Sequence, residues 1–171
     1  MTSWRMLEEV VASRVLQDAR RVSQALTRLA IPHALVGGLA VGLHGHPRAT
    51  KDVDFLVGAE AFETTEPMLS FRAELADVVR WGVIDLIAAL PEDPPLVAEL
   101  TPHEPGTVPV VSIEVLMLMK LRASRMQDLA DVEALVRAGA DVPAILRYLR
   151  ATEPEHIPAF SRIAQSALAA P

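Results

Sequence analysis

The chain has 171 residues, 51% of them hydrophobic, with a net charge of −6 and an isoelectric point near 5.3. That length buries one sizeable core and is short for two ordinary domains, and the acidic balance argues against general nucleic-acid binding, which rests on many Lys and Arg against phosphates. The absence of cysteine excludes disulfides, thiolate metal sites and thiol nucleophiles, leaving hard ions held by oxygen as the metals to expect.

From Trp4 to about Ala30 the apolar residues Leu7, Val10, Val11, Val15, Val22, Leu26 and Leu29 recur near a 3.6 period, which predicts one amphipathic helix ended by Pro32. Short β-rich runs follow up to Val111, namely HALVG, KDVDFLV, ADVVRW, VIDLIAAL and VPVVS, separated by Gly, Pro and helix-like pieces. From Ser112 onward the pattern is helical. Ser112 is placed to cap IEVLMLMKLRAS, Gly139 closes DLADVEALVRAG, and VPAILRYLR comes next. Thr152 and Glu155 have the spacing of a capping box for a last helix, HIPAFSRIAQSALA. Residues 1–111 are thus expected to form an α/β core and residues 112–171 a helical extension packed on it. No apolar run reaches the roughly 18 residues of a membrane span, and the start lacks the apolar stretch of a secretory signal. A cytoplasmic protein with no membrane partner is expected.

The segment VGGLAVGLHGHPRATKDVDFLV carries most of the chemistry. Asp52 and Asp54 are one residue apart in an apolar run, so a strand of period two puts both carboxylates on one face. Such a pair suits magnesium, which takes one or two carboxylates together with phosphate oxygens; a solvent-facing edge strand with two exposed acids is the plain alternative. Val36-Gly37-Gly38 ends a β-like run and opens a helix-like one, where backbone N–H groups can approach a phosphate with no Cβ in the way. Asp85 lies between Ile84 and Leu86, where an unpaired carboxylate, if buried, costs several kcal/mol and so calls for a cation.

Val36-Gly37-Gly38, Asp52-Val53-Asp54-Phe55 and Ile84-Asp85-Leu86, taken in order, resemble the signature of the DNA polymerase beta nucleotidyltransferase superfamily. Thr50-Lys51-Asp52-Val53-Asp54, Lys120 with Arg125, and Asp128-Leu129-Ala130-Asp131 resemble the motif series of its abortive-infection and toxin–antitoxin members. The resemblance implies an α+β nucleotidyltransferase fold, a small mixed sheet flanked by helices. It implies that Asp52, Asp54 and Asp85 ligate two magnesium ions, with Asp85 also taking the acceptor hydroxyl's proton. Gly37 and Gly38 then hold phosphate through backbone donors, Lys120 and Arg125 bind the triphosphate, and Asp128 lies near the site. The implied reaction moves a nucleoside monophosphate from a triphosphate such as ATP to an RNA, protein or small-molecule hydroxyl, with a cognate toxin or antitoxin as a further partner. The alternative class is a nucleotide-binding or antitoxin-like regulatory module that keeps the fold without turnover.

Plainer roles stand beside these. Lys120, one of only two lysines with Lys51, can snorkel from a helix flank. Arg125, Asp128 and Asp131 can form helix-surface ion pairs worth about 0.3–0.5 kcal/mol each. Arg48 and Thr50 flank the carboxylates and can steady the loop or a phosphate. His44 and His46 read as loop histidines, Trp81 as a half-buried core residue or a base-stacking one, and Arg14, Arg21 and Arg28 as a solvated or RNA-facing stripe.

Overall fold

The computed structural model describes residues 4–65, 68–71, 73–75, 84–104 and 106–169. Its N-terminal part is two helices, α1 (Trp4–Glu8) and α2 (Ser13–Arg28), in place of the single helix that the periodicity predicts. The break over residues 9–12 lets α1 turn away from α2 and pack on the next helix. Leu7 is fully buried there, and a Cβ on Gly42 would lie 2.3 Å from Leu7 Cδ2, so the glycine makes the room. Helix α2 ends at Arg28, with Leu29 as its C-cap and a left-handed turn at Ala30, ahead of Pro32.

The main sheet is mixed. Strand β1 (His33–Leu35) runs antiparallel to β2 (Val53–Val57), and β2 runs parallel to the last strand, β5 (Ile84–Ala88). Between β1 and β2 lies α3 (Gly37–Leu43), and a separate hairpin, β3 (Phe62–Thr65) with β4 (Met68–Phe71), occupies a stretch whose sequence shows no such pattern. VPVVS makes only an isolated bridge, Leu35 to Val110, and the ADVVRW run and Trp81 lie outside the described residues.

After the short helix α4 (Pro94–Val97) come α5 (Ile113–Ala123), α6 (Met126–Arg137), α7 (Val142–Thr152) and α8 (Ile157–Ala169). Ser112 caps α5 as its position suggests, its Oγ accepting from Val115 N at 3.3 Å. Gly139, at φ +99°, ends the turn after α6. The capping box does not form. Thr152 is the last residue of α7 and its hydroxyl donates to Tyr148 O at 2.9 Å, while Glu153 is drawn away to Arg122. A 3-10 turn over Pro154–His156 leads into α8 instead.

Strand alternation divides the core in two. Leu35, Val53, Phe55 and Val57 point into a cluster with α1 and α2, whereas Ala34, Val36 and Leu56 point into a cluster with α3 and the C-terminal helices. Asp54 shares the face of Leu56 by the same period, so it looks toward α3 and α5. No helix among the described residues is long and apolar enough to cross a membrane.

Candidate active site

The parallel register pairs Asp54 of β2 directly with Asp85 of β5, which brings both carboxylates to one sheet face, with Asp52 just ahead of the strand. They line a cavity of about 440 Å³ between the head of the sheet, the α3 turn and the α5–α6 pair. Gly37, Gly38, Arg48, Thr50, Lys120, Arg125 and Asp128 line it too, so the ten residues expected at a nucleotide site meet in one place, whereas Lys51, Asp131 and the loop histidines do not line it. Val36, Ile87, Leu116, Met119 and Ala123 supply an apolar wall, and Gln127 a further polar group.

Gly37 sits at φ +64°, a conformation that L side chains rarely adopt, and a Cβ there would lie 1.8 Å from Asp54 Oδ2. The glycine therefore serves two needs: the left-handed turn and the space that Asp54 occupies. Gly38 N–H reaches back to the Asp54 carboxylate. Even so, the Asp54 pKa stands above its ordinary value, because burial and then the charges of Asp85 and Asp52 outweigh that bond and the pull of Lys120. Asp85 differs from its sequence-based expectation. It is exposed on β5, so burial between Ile84 and Leu86 gives no reason for it to need a cation; its reason is its like-charged neighbour across the ladder.

The opposite wall is cationic and built from the α5–α6 hairpin. Ser124 takes a left-handed conformation at φ 50° and turns the chain so that the last turn of α5 faces the first turn of α6. Lys120 Nζ consequently lies 2.8 Å from Asp128 Oδ1 and 2.8 Å from Asp131 Oδ2. Arg125 Nε donates to Asp128 Oδ2 at 2.6 Å, and Arg48 donates to Asp131 through Nε at 2.7 Å and Nη2 at 2.9 Å. Lys120, Asp128 and Asp131 are at most 7% exposed. These are not the snorkelling lysine and surface ion pairs that a helix flank allows, but one buried network with Arg125 at its exposed rim. Burial pushes the pKa values of Asp128 and Asp131 up, and the bonds from Arg125 and Lys120 to the first and from Arg48 and Lys120 to the second overcome it and hold both below the usual range. Thr50 Oγ1 donates to Asp52 O at 3.4 Å, a turn contact, and His44 Nε2 donates to Val111 O at 2.8 Å, which pins the loop over residues 44–52.

Gln127 is the polar lining residue that the sequence does not single out, and Asp131 lies buried behind the wall. Gln127 Nε2 donates to Asp131 Oδ1 at 3.1 Å across one helical turn, and that i, i+4 spacing on α6 is the signal that could have found it.

Asp52, Asp54 and Asp85 could hold a hard divalent cation, since they offer only carboxylate oxygens and the crowding at Asp54 is what such an ion relieves. They are spread wider than a closed one-ion cage. Among the described residues only Glu153, Glu155 and His156 bring three ligand atoms within 4.8 Å of one another, and Glu153 there is already paired with Arg122.

No family model and no curated protein matches the sequence. Among solved structures the chain is similar to an antigenic nucleotidyltransferase-like protein from Paracoccidioides brasiliensis, with a TM-score of 0.47 and 16% identity over 89% of this chain and 94% of that one. Likeness at that level decides nothing about chemistry, which has to come from the side chains.

Proposed function

We propose that the chain is a nucleotidyltransferase that moves a nucleoside monophosphate from a magnesium-bound triphosphate to a hydroxyl. The observation that carries this is the pairing of Asp54 with Asp85 across parallel strands, opposite Lys120 and Arg125 in the same cavity. An acidic wall and a cationic wall facing each other suit a metal-bound polyphosphate, which needs carboxylates on the ion side and Lys or Arg on the other.

Asp52, Asp54 and Asp85 would hold two magnesium ions, which when bound neutralise charge on the attacking and leaving oxygens. The chain's own residues supply the rest. Lys120 and Arg125 take the distal phosphates, and the Gly37–Gly38 turn lets phosphate approach the backbone without a Cβ, the Gly38 N–H itself being held by Asp54. Asp85, exposed at the acceptor side, takes the proton from the acceptor hydroxyl as its oxygen attacks the α-phosphorus. The bond from the α-phosphorus to the bridging oxygen breaks, and pyrophosphate leaves. The likeness of the Lys120, Arg125 and Asp128 motifs to abortive-infection and toxin–antitoxin members favours RNA or protein as acceptor.

A second reading, a nucleotide-binding module without turnover, draws on one observation: Lys120 is already held by two carboxylates and so is less available to a transition state. Calorimetry with each triphosphate, with and without EDTA, tests what the two readings share. Binding that needs the divalent ion is expected, and equal affinity in EDTA overturns the magnesium triphosphate site.

A further inference from the structure

Asp131 has a richer set of partners than a structural ion pair requires. Its carboxylate is 1% exposed and accepts from Arg48 at 2.7 and 2.9 Å, from Lys120 at 2.8 Å and from Gln127 at 3.1 Å. Arg48 comes from the loop that leads into Asp52, Lys120 from the end of α5, and Gln127 and Asp131 from α6. One buried carboxylate thus ties together three segments that line the cavity. Folding alone does not ask for this, since buried ion pairs are often replaceable by apolar side chains without loss.

What a carboxylate does here, and an apolar group cannot, is fix two cations beside each other. An ammonium has three N–H donors, and Asp128 and Asp131 take two of those on Lys120, leaving one. Of the five guanidinium donors, Arg48 spends two on Asp131 and one on Ala49 O at 3.2 Å, leaving two. Arg48 Nη2 also lies against the Gly37–Gly38 turn, 3.4 Å from where a Cβ on Gly38 would stand. Arg48 Nη2 and Lys120 Nζ thus meet on one oxygen, Asp131 Oδ2, at 2.9 and 2.8 Å.

We infer that Asp131 is a positioning residue that holds Arg48 and Lys120 as a paired clamp for the terminal phosphates of the triphosphate. This rests on the reading of the cavity as a triphosphate site. The clamp acts on phosphate binding and not on the acceptor's proton, so its loss moves affinity for the triphosphate and spares affinity for the monophosphate.

The test compares wild type, Asp131→Asn, Arg48→Met and the double variant. Each is titrated by calorimetry with magnesium and a non-hydrolysable triphosphate analogue of the tightest-binding base, then with the matching monophosphate. Charge-assisted hydrogen bonds are strong enough that each single variant should lose about tenfold or more in triphosphate affinity, with monophosphate affinity changed less than about threefold. The double variant should be no worse than the weaker single, since the two residues act as one unit. Equal loss of both ligands, or wild-type triphosphate affinity in either folded single variant, overturns the clamp while leaving the triphosphate site standing. Arg48→Met keeps the test alive if Asp131→Asn does not fold, because Arg48 is partly exposed. A wild type that binds none of the four triphosphates ends both readings.

Discussion

Gly37 and Asp54 share one space: a Cβ on the glycine would lie 1.8 Å from the aspartate Oδ2 and 2.6 Å from its Cγ. Gly37→Ala therefore combines the strain of a positive φ, about 1–2 kcal/mol, with displacement of a carboxylate from the head of β2. The variant should still fold, with a melting temperature lowered by a few degrees. Its transfer activity should fall by about a hundredfold or more, the scale of a misplaced reacting group. Circular-dichroism melts and a transfer assay on the same preparation check both halves.

Asp54 and Asp85 should part company when each is changed to Asn. Asp85 is exposed, so Asp85→Asn should move stability by no more than about 0.5 kcal/mol, keep magnesium triphosphate binding and lose nearly all transfer. Asp54 sits half-buried among like charges that raise its pKa, so Asp54→Asn should leave the fold as stable as wild type or more so, while binding and transfer disappear together. Urea unfolding read beside calorimetry separates the two, and a destabilised Asp54→Asn would count against the like-charge crowding.

Lys120 and Arg125 touch the same carboxylate from opposite sides of the surface. Lys120→Ala leaves Asp128 and Asp131 buried with less compensation, which costs about 3–5 kcal/mol, whereas Arg125→Ala, at an exposed rim, should cost less than about 1 kcal/mol. Both should weaken triphosphate binding more than monophosphate binding. If Lys120→Ala unfolds at the wild-type denaturant midpoint, the buried network does not hold the helices as described.

His33 offers a pH dependence far from the cavity. It is fully buried; its Nδ1 donates to Ile31 O at 2.9 Å and its Nε2 accepts from the Ser23 hydroxyl at 2.8 Å. Burial lowers its pKa from 6.5, so below that pH the unfolded chain binds a proton that the folded one refuses. Its contribution is intact above 6.5 and is lost as pH falls from there toward the folded-state value. Wild type should lose more stability than His33→Gln as the pH falls from about 7.5 to about 5.5. Parallel urea curves for the two proteins would remove His33 as the cause.

Which residues line the cavity was largely legible along the chain because their signals are local. Period-two alternation puts Asp52 and Asp54 on one face, and the Gly-Gly pair can only mean a tight backbone. The long-range relations were not legible. Arg48 meets Asp131 from a distant loop, and nothing near either residue announces the other. Asp128 and Asp131 look like a charged helix face until the Ser124 turn folds α5 over them and buries both. In the same way the N-terminal periodicity is real, yet the packing of Leu7 against Gly42 breaks the helix, and Thr152 is taken into the last turn of α7, its hydroxyl on Tyr148 O, so that it cannot cap the helix that follows. Each miss is a tertiary contact overriding a local rule.

The most direct measurement incubates the purified protein with each α-labelled triphosphate, magnesium and a pool of total RNA and protein, alongside EDTA and Asp85→Asn controls. A nucleotidyltransferase should put label on RNA or on protein in the wild-type reaction and in neither control. Label that persists in EDTA or with Asp85→Asn, or a wild type that binds triphosphate and labels nothing, would contradict transfer at this site.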